Sequence, residues 1–177
     1  MELDEPSVRA LAAITRTSQI IASSLVIGVL MFAGYVLLVA RPIAQAEAGT
    51  LTTIALLLGA TAVVLSWVVP RILGSAQRRQ IADGTWQPPR GQDAEYPTDA
   101  ARLAAVYQTK LVVGAAILEG ACFNALYAYW CEQQTASLAV AGILLLGLLA
   151  HVPSAGRVRN WVQDQLRQIE EGRQFSG

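Results

Sequence analysis

Polar and apolar positions in this chain fall into blocks rather than alternating. Four apolar runs, at about residues 18–40, 51–73, 107–130 and 136–153, are separated by polar stretches. No Asp, Glu, Lys or Arg interrupts the first run, and the second meets its first charge at Arg71. Runs of about 18 to 25 apolar residues match the ~30 Å hydrocarbon core of a bilayer at 1.5 Å rise per residue. The pattern therefore predicts an all-α, polytopic membrane protein with four transmembrane helices.

Between the runs, the punctuation predicts how the helices connect. Arg41-Pro42 ends the first span, because proline cannot continue the hydrogen-bond ladder, and a short connection to Thr50 forces an antiparallel hairpin. A second hairpin turns over Glu132 to Thr135. Residues 74–106 form a long connection on the inner side, with a helical pattern continuing to the turn signal Asp83-Gly84. Its middle holds three prolines with Trp86 and Tyr96, a composition suited to the headgroup region. The next helix starts with Thr98 as N-cap after Pro97. Ahead of the first span, Glu2, Asp4 and Glu5 precede Pro6 and a pattern through Val8, Leu11 and Ile14, which predicts a short helix feeding directly into the membrane.

Residues 154–177 place Val158, Trp161, Val162, Leu166 and Ile169 on one helical face, opposite Arg, Gln, Asp and Glu. That is an amphipathic interfacial helix, expected to lie flat on the inner leaflet; binding of a partner is the competing use of its apolar face. Gln77–Gly84 and Gln165–Gly172 share five of eight residues, and Val69-Pro70 parallels Val152-Pro153. Two tandem hairpins, each closed by an inner-face segment, form a parallel pseudo-repeat on this reading.

Composition adds an orientation. The 177 residues are 54% hydrophobic and 15% charged with a formal net charge of zero, so no global basic field recruits nucleic acid. With the N-terminus in the cytoplasm, every one of the 13 Lys and Arg residues except Arg41 falls on the inner side. This follows the positive-inside rule and predicts cytoplasmic N- and C-termini, in a bacterial cytoplasmic membrane. Ala44-Gln45-Ala46 has the form of a signal-peptide cleavage site, but the preceding apolar run exceeds the usual 7–15 residues, so a retained span is expected. Cys122 and Cys131 are nine residues apart on one helix, ~13 Å along its axis, too far for a disulfide. Cys131, at the outer end, offers a cross-link between copies.

Candidate chemistry is sparse. Glu119 sits mid-way along the third span, ~15 Å deep, where a charged acid costs about 2.5–3.5 kcal/mol on insertion scales. It is expected to face the bundle interior as a neutral acid. The pseudo-repeat puts Gly28 at its level, with Ser24 and Ser66 within one or two turns as hydroxyl partners and Gly142 at similar depth on the fourth span. Asn124, five residues beyond Glu119, points toward another neighbour. Lys110 is expected to snorkel to the inner surface, and His151 to be interfacial. One His, two distant Cys and scattered acids converge at no ligand spacing, so neither metal nor cofactor is expected.

The stretch Leu118-Glu119-Gly120-Ala121-Cys122-Phe123-Asn124-Ala125-Leu126-Tyr127 resembles the ion-carrying helix of rotary-ATPase proteolipid subunits. Those subunits place one acid mid-span among small residues, and the vacuolar type has four spans from a duplicated hairpin. The resemblance covers ten residues; the chain lacks the family's glycine-rich inward helices, and its inner loop is far longer. It implies a proton- or cation-carrying role for Glu119. Nucleophile-elbow, zinc-protease and phosphate-loop motifs are absent, so an enzyme is not expected. The leading expectation is a membrane protein that packs with itself or with a membrane-protein partner in the lipid bilayer, and the alternative is a proton-coupled carrier or channel component using Glu119.

Overall fold

A computed structural model describes residues 5–41, 49–88, 96 and 98–175, and for Pro6 and residues 172–175 the backbone only. The expectations for Glu2, Asp4, Pro42, Ala44–Ala46 and Pro97 lie outside the described residues. Five helices follow in order: α1 (Glu5–Leu38), α2 (Thr50–Ala82), α3 (Asp99–Glu132), α4 (Thr135–Ala150) and α5 (Ala155–Phe175). α1, α2 and α3 are long and apolar enough to cross a membrane, and α4 with α5 qualifies as a fourth, broken span. The short N-terminal helix merges into the first span without a break, since nothing between Glu5 and Leu38 stops the backbone ladder. α2 likewise runs through Pro70.

The chain divides into two compact units. Unit 1 comprises Met1–Ile20, Pro70–Val112 and Pro153–Gly177; unit 2 comprises Ile21–Val69 and Val113–Val152. Unit 1 contains all Lys and Arg residues of the sequence except Arg41.

Unit 2 buries mostly small side chains, with leucine at a few central positions, and turns many large apolar ones outward. α2 buries Thr52, Ala55, Gly59, Ala62 and Ser66, at spacings of three, four, three and four. α4 buries Ser137, Ala141, Leu144 and Leu148 with the same rhythm. Such seams set neighbouring helices close and nearly antiparallel or parallel. α3 fills the centre through Ala115, Leu118, Ala121, Cys122, Ala125, Leu126 and Ala128. Facing outward are Met31 (72% exposed), Leu57 (66%) and Leu146 (67%), with many other Leu, Ile and Val side chains of α1, α2 and α4. In water this arrangement would leave an apolar patch far larger than soluble monomers tolerate. In hydrocarbon it is the stable one, because helices there associate through close packing of small residues and not through apolar burial.

Unit 1 has the opposite construction. Ile81, Leu103, Val106, Val158 and Val162 are almost fully buried, and among the described residues no charged side chain is. Thr98 acts as the expected N-cap of α3, accepting the Ala101 N–H at 3.2 Å, and its hydroxyl meets Ser7 of α1 at 2.9 Å. Gly84 closes α2 with φ of 70°, a left-handed position where glycine carries no steric cost. The Thr85 N–H then reaches back to the Gln80 carbonyl at 2.9 Å. One expectation is corrected here. The apolar face of α5 does not lie on lipid: Val158, Val162, Leu166 and Ile169 are at most 8% exposed, buried within unit 1. Periodicity locates an apolar face but does not say what covers it. The segments alike in sequence touch, as Arg78 donates to Gln165 at 3.0 Å and also to Gln168.

Candidate functional site

Glu119 lies on α3 between the small residues that let α1 approach. The Gly28 position on α1 is where a Cβ would stand 3.7 Å from Glu119 Oε1 and 3.9 Å from Phe123 Cζ. The structure thus brings Gly28 and Glu119 together. Phe123 meets Phe32 of α1 edge-on, with ring centres 5.3 Å apart, and closes one side of this contact. The Glu119 side chain is half-buried, and on the same helix Ala116 and Gly120 are exposed. Among the described residues no hydrogen bond reaches its carboxyl.

The other expected partners stand elsewhere. Ser66 is buried but bonds the Val63 carbonyl of its own helix at 2.8 Å. Ser24 is exposed on α1. Asn124 is half-buried on α3, and Gly142 faces open space. Helical hydroxyls favour their own carbonyls when no stronger acceptor lies within reach. Cys122 is buried and donates to the Ala141 carbonyl at 3.3 Å, joining α3 to α4. Cys131 is also buried, so the cross-linking expected of it has little access. His151 bonds the Gly147 carbonyl at 2.8 Å and closes the last turn of α4. Among the described residues no group of His, Cys, Asp and Glu could hold a metal ion.

Sequence reasoning missed Glu132, which it took for a turn residue. Its carboxylate caps the N-terminus of α2, accepting the N–H groups of Leu51 at 2.7 Å and Thr52 at 2.9 Å, and the Thr52 hydroxyl at 2.7 Å. With Thr52 donating to Glu132, Ser137 of α4 donates to Thr52 at 2.8 Å. An acceptor-only carboxylate at the positive end of a helix satisfies donors that have no partner in the ladder. Trp130 adds a bond from its indole nitrogen to the Arg41 carbonyl at 2.8 Å. The end of α1, the start of α2, the end of α3 and the start of α4 thus meet at one end of unit 2. A signal was available: an acid in the last turn of a helix opposes that helix's own dipole, so it points to a partner elsewhere. Replacing Glu132 with Ala is expected to lower the melting temperature in detergent by several degrees, and Glu132→Gln, which keeps one acceptor oxygen, by less. Equal melting of both variants and the wild type would remove the cap from any role in stability.

These features define an all-α protein with three to four apolar helices of membrane length and, among the described residues, no metal-binding cluster. Comparison with protein-family models, with curated proteins and with solved structures finds no match to the chain.

Proposed function

We propose that this is an integral membrane protein of the bacterial cytoplasmic membrane that works without enzymatic chemistry, by packing in the bilayer with a second copy or another membrane protein. The observation that carries this reading is Glu119. Its carboxyl lies over Gly28, half-buried, with no hydrogen bond among the described residues, on a helix that exposes Ala116 and Gly120 beside it. A carboxyl left partly open to hydrocarbon is costly, and a helix packed against the small residues would supply its missing partner.

The proposed topology has four crossings, both termini cytoplasmic, and two tandem hairpins. Gathering of all Lys and Arg except Arg41 in unit 1 supports it, since that unit would lie on the cytoplasmic side. α4, with 16 residues, is ~24 Å long and would cross with local thinning of the bilayer. The contact of Arg78 with Gln165 and Gln168 favours the pseudo-repeat, since it pairs the two similar segments.

A second reading, a proton-coupled carrier or channel component, rests on the same carboxyl, which is the protonatable group at mid-span. Glu119→Gln separates the two. The packing reading expects little or no proton flux from wild-type protein in liposomes, and a smaller oligomer or weaker partner retention in the variant. Proton flux in the wild type that Glu119→Gln abolishes, with oligomer size unchanged, would overturn it in favour of the carrier.

A further inference from the structure

Glu119 and Asn124 of α3, both half-buried in unit 2, have no hydrogen bond among the described residues. Each complements the other: an amide offers N–H donors and an acceptor oxygen, and a neutral carboxyl offers a donor and an acceptor in return. They cannot meet on their own helix. At 3.6 residues per turn, five positions set them about 140° apart around the axis and ~7.5 Å apart along it. The surface between them carries Ala116, Gly120 and Tyr127, the three residues that α3 exposes within unit 2. Nothing inside the protomer asks for glycine at position 120. A Cβ there would meet no atom within 4 Å, and glycine is a costly residue in a helix interior. Gly34 and Gly142 are as open, but neither has an acid or an amide within four residues.

We propose that α3 pairs in parallel with α3 of a second copy, with Glu119 of each protomer hydrogen-bonded to Asn124 of the other. This rests on the packing reading above and deepens it by fixing the partner and the face. Copies inserted in one direction are related by a two-fold axis along the membrane normal, so their α3 helices run parallel. Across such a seam, each flank of one helix meets the opposite flank of the other. With Gly120 at a heptad a position, Ala116 falls at d, Glu119 at g and Asn124 at the following e. The g position and the next e are the flanking pair that meets in a parallel dimer, and their offset is the five residues found here. Ala116 and Gly120 let the two backbones approach closely enough for these side chains to reach. An unrelated partner would need its own acid and amide at that offset, whereas a second copy has them by symmetry. Two acid–amide pairs per dimer then satisfy polar groups that would otherwise stand open to hydrocarbon.

Dye-labelled protein in phosphatidylcholine–phosphatidylglycerol vesicles, counted by single-molecule photobleaching over a dilution series, gives the dimerisation constant. Glu119→Leu and Asn124→Leu are each expected to weaken it about eight-fold, the loss of two interhelical hydrogen bonds of average strength. The double variant should be no weaker than either single one, since each change alone already removes both pairs. Gly120→Leu should weaken pairing at least ten-fold without lowering the melting temperature of the monomer, because its side chain enters open space in the protomer. Cross-linking tests the face separately. On mild oxidation Ala116→Cys should give dimers, and Leu57→Cys and Leu146→Cys, exposed on α2 and α4, should not. The two native cysteines are buried, so the wild type serves as the blank. Wild-type protein that stays monomeric at every dilution would overturn the pairing and leave the packing reading to another membrane protein. Additive losses in the double variant, dimers untouched by Gly120→Leu, or cross-linking best through α2 or α4 would overturn this face. The packing reading itself falls to Glu119-dependent proton flux, a separate measurement.

Discussion

Val162→Asp is expected to release α5 from unit 1 and to lower stability by about 3–5 kcal/mol, the range of changes that bury an unpaired charge in a core. Val162 is fully buried, as is Val158 one turn earlier, and Leu166 and Ile169 continue the same face. An aspartate there must either stay buried without a partner or leave with the helix, exposing the other three. Trypsin reads the result, since Arg157, Arg159 and Arg167 all lie on α5. In phosphatidylcholine nanodiscs, cleavage at these sites should accelerate at least ten-fold in Val162→Asp and stay at the wild-type rate in Asn160→Asp, whose side chain is exposed on the same helix. Equal cleavage of the two variants would mean that the apolar face of α5 is not held by protein.

How much of this molecule its sequence discloses depends on what each pattern encodes. Long uncharged runs encode membrane-length helices, because few other uses of a chain tolerate twenty residues without charge. Thr98 and Gly84 mark helix ends through local backbone chemistry that needs no tertiary information. The seam of Thr52, Ala55, Gly59, Ala62 and Ser66 is harder to see, since the first two-thirds of α2 carry no charge on any side and the buried face differs from the exposed one mainly in size. In a bilayer, hydropathy stops distinguishing inside from outside, and small residues take over that role. The α5 face shows the converse limit. Its periodicity is plain, yet lipid and protein satisfy an apolar stripe equally well.

The candidate site divides along the same line. Gly28 stands beside Glu119, and depth on a span is a one-dimensional count along a helix of fixed rise. Among the described residues no hydrogen bond joins Ser24 or Ser66 to Glu119: Ser24 stands a full helical turn from Gly28, and the Ser66 hydroxyl turns to its own backbone. Glu132 escaped notice for a different reason. Its partners on α2 are about 80 residues away in the chain, and no local rule links a helix's last residue to the first turn of another. The dipole conflict at the end of α3 flags the residue, but only the folded chain names its partner.

Gly59 tests the small-residue packing of unit 2 most severely. A Cβ at this position would lie 2.7 Å from Val140 Cγ1 and 3.6 Å from Leu144 Cδ1 of α4. The first distance is shorter than any real contact, and valine's branched side chain has few rotamers with which to yield. Gly59→Leu is therefore expected to force α2 away from α4 at a cost of about 3 kcal/mol, at the upper end of the overpacking range. Gly59→Ala sets a smaller clash against the ~1 kcal/mol that alanine gains over glycine in a helix, and should destabilise only slightly. Combining Gly59→Ala with Val140→Ala removes the clashing methyl groups of Val140, so the pair should be more stable than the sum of the two single changes. Gly142 faces open space on α4, and Gly142→Leu is the matched control, expected to leave stability unchanged or raise it through helix propensity. Unfolding by denaturing detergent, followed through helical circular dichroism, measures all of these. If Gly59→Leu and Gly142→Leu unfold alike, α2 and α4 do not pack through this glycine, and the small-residue account of the seam fails where its geometry is tightest.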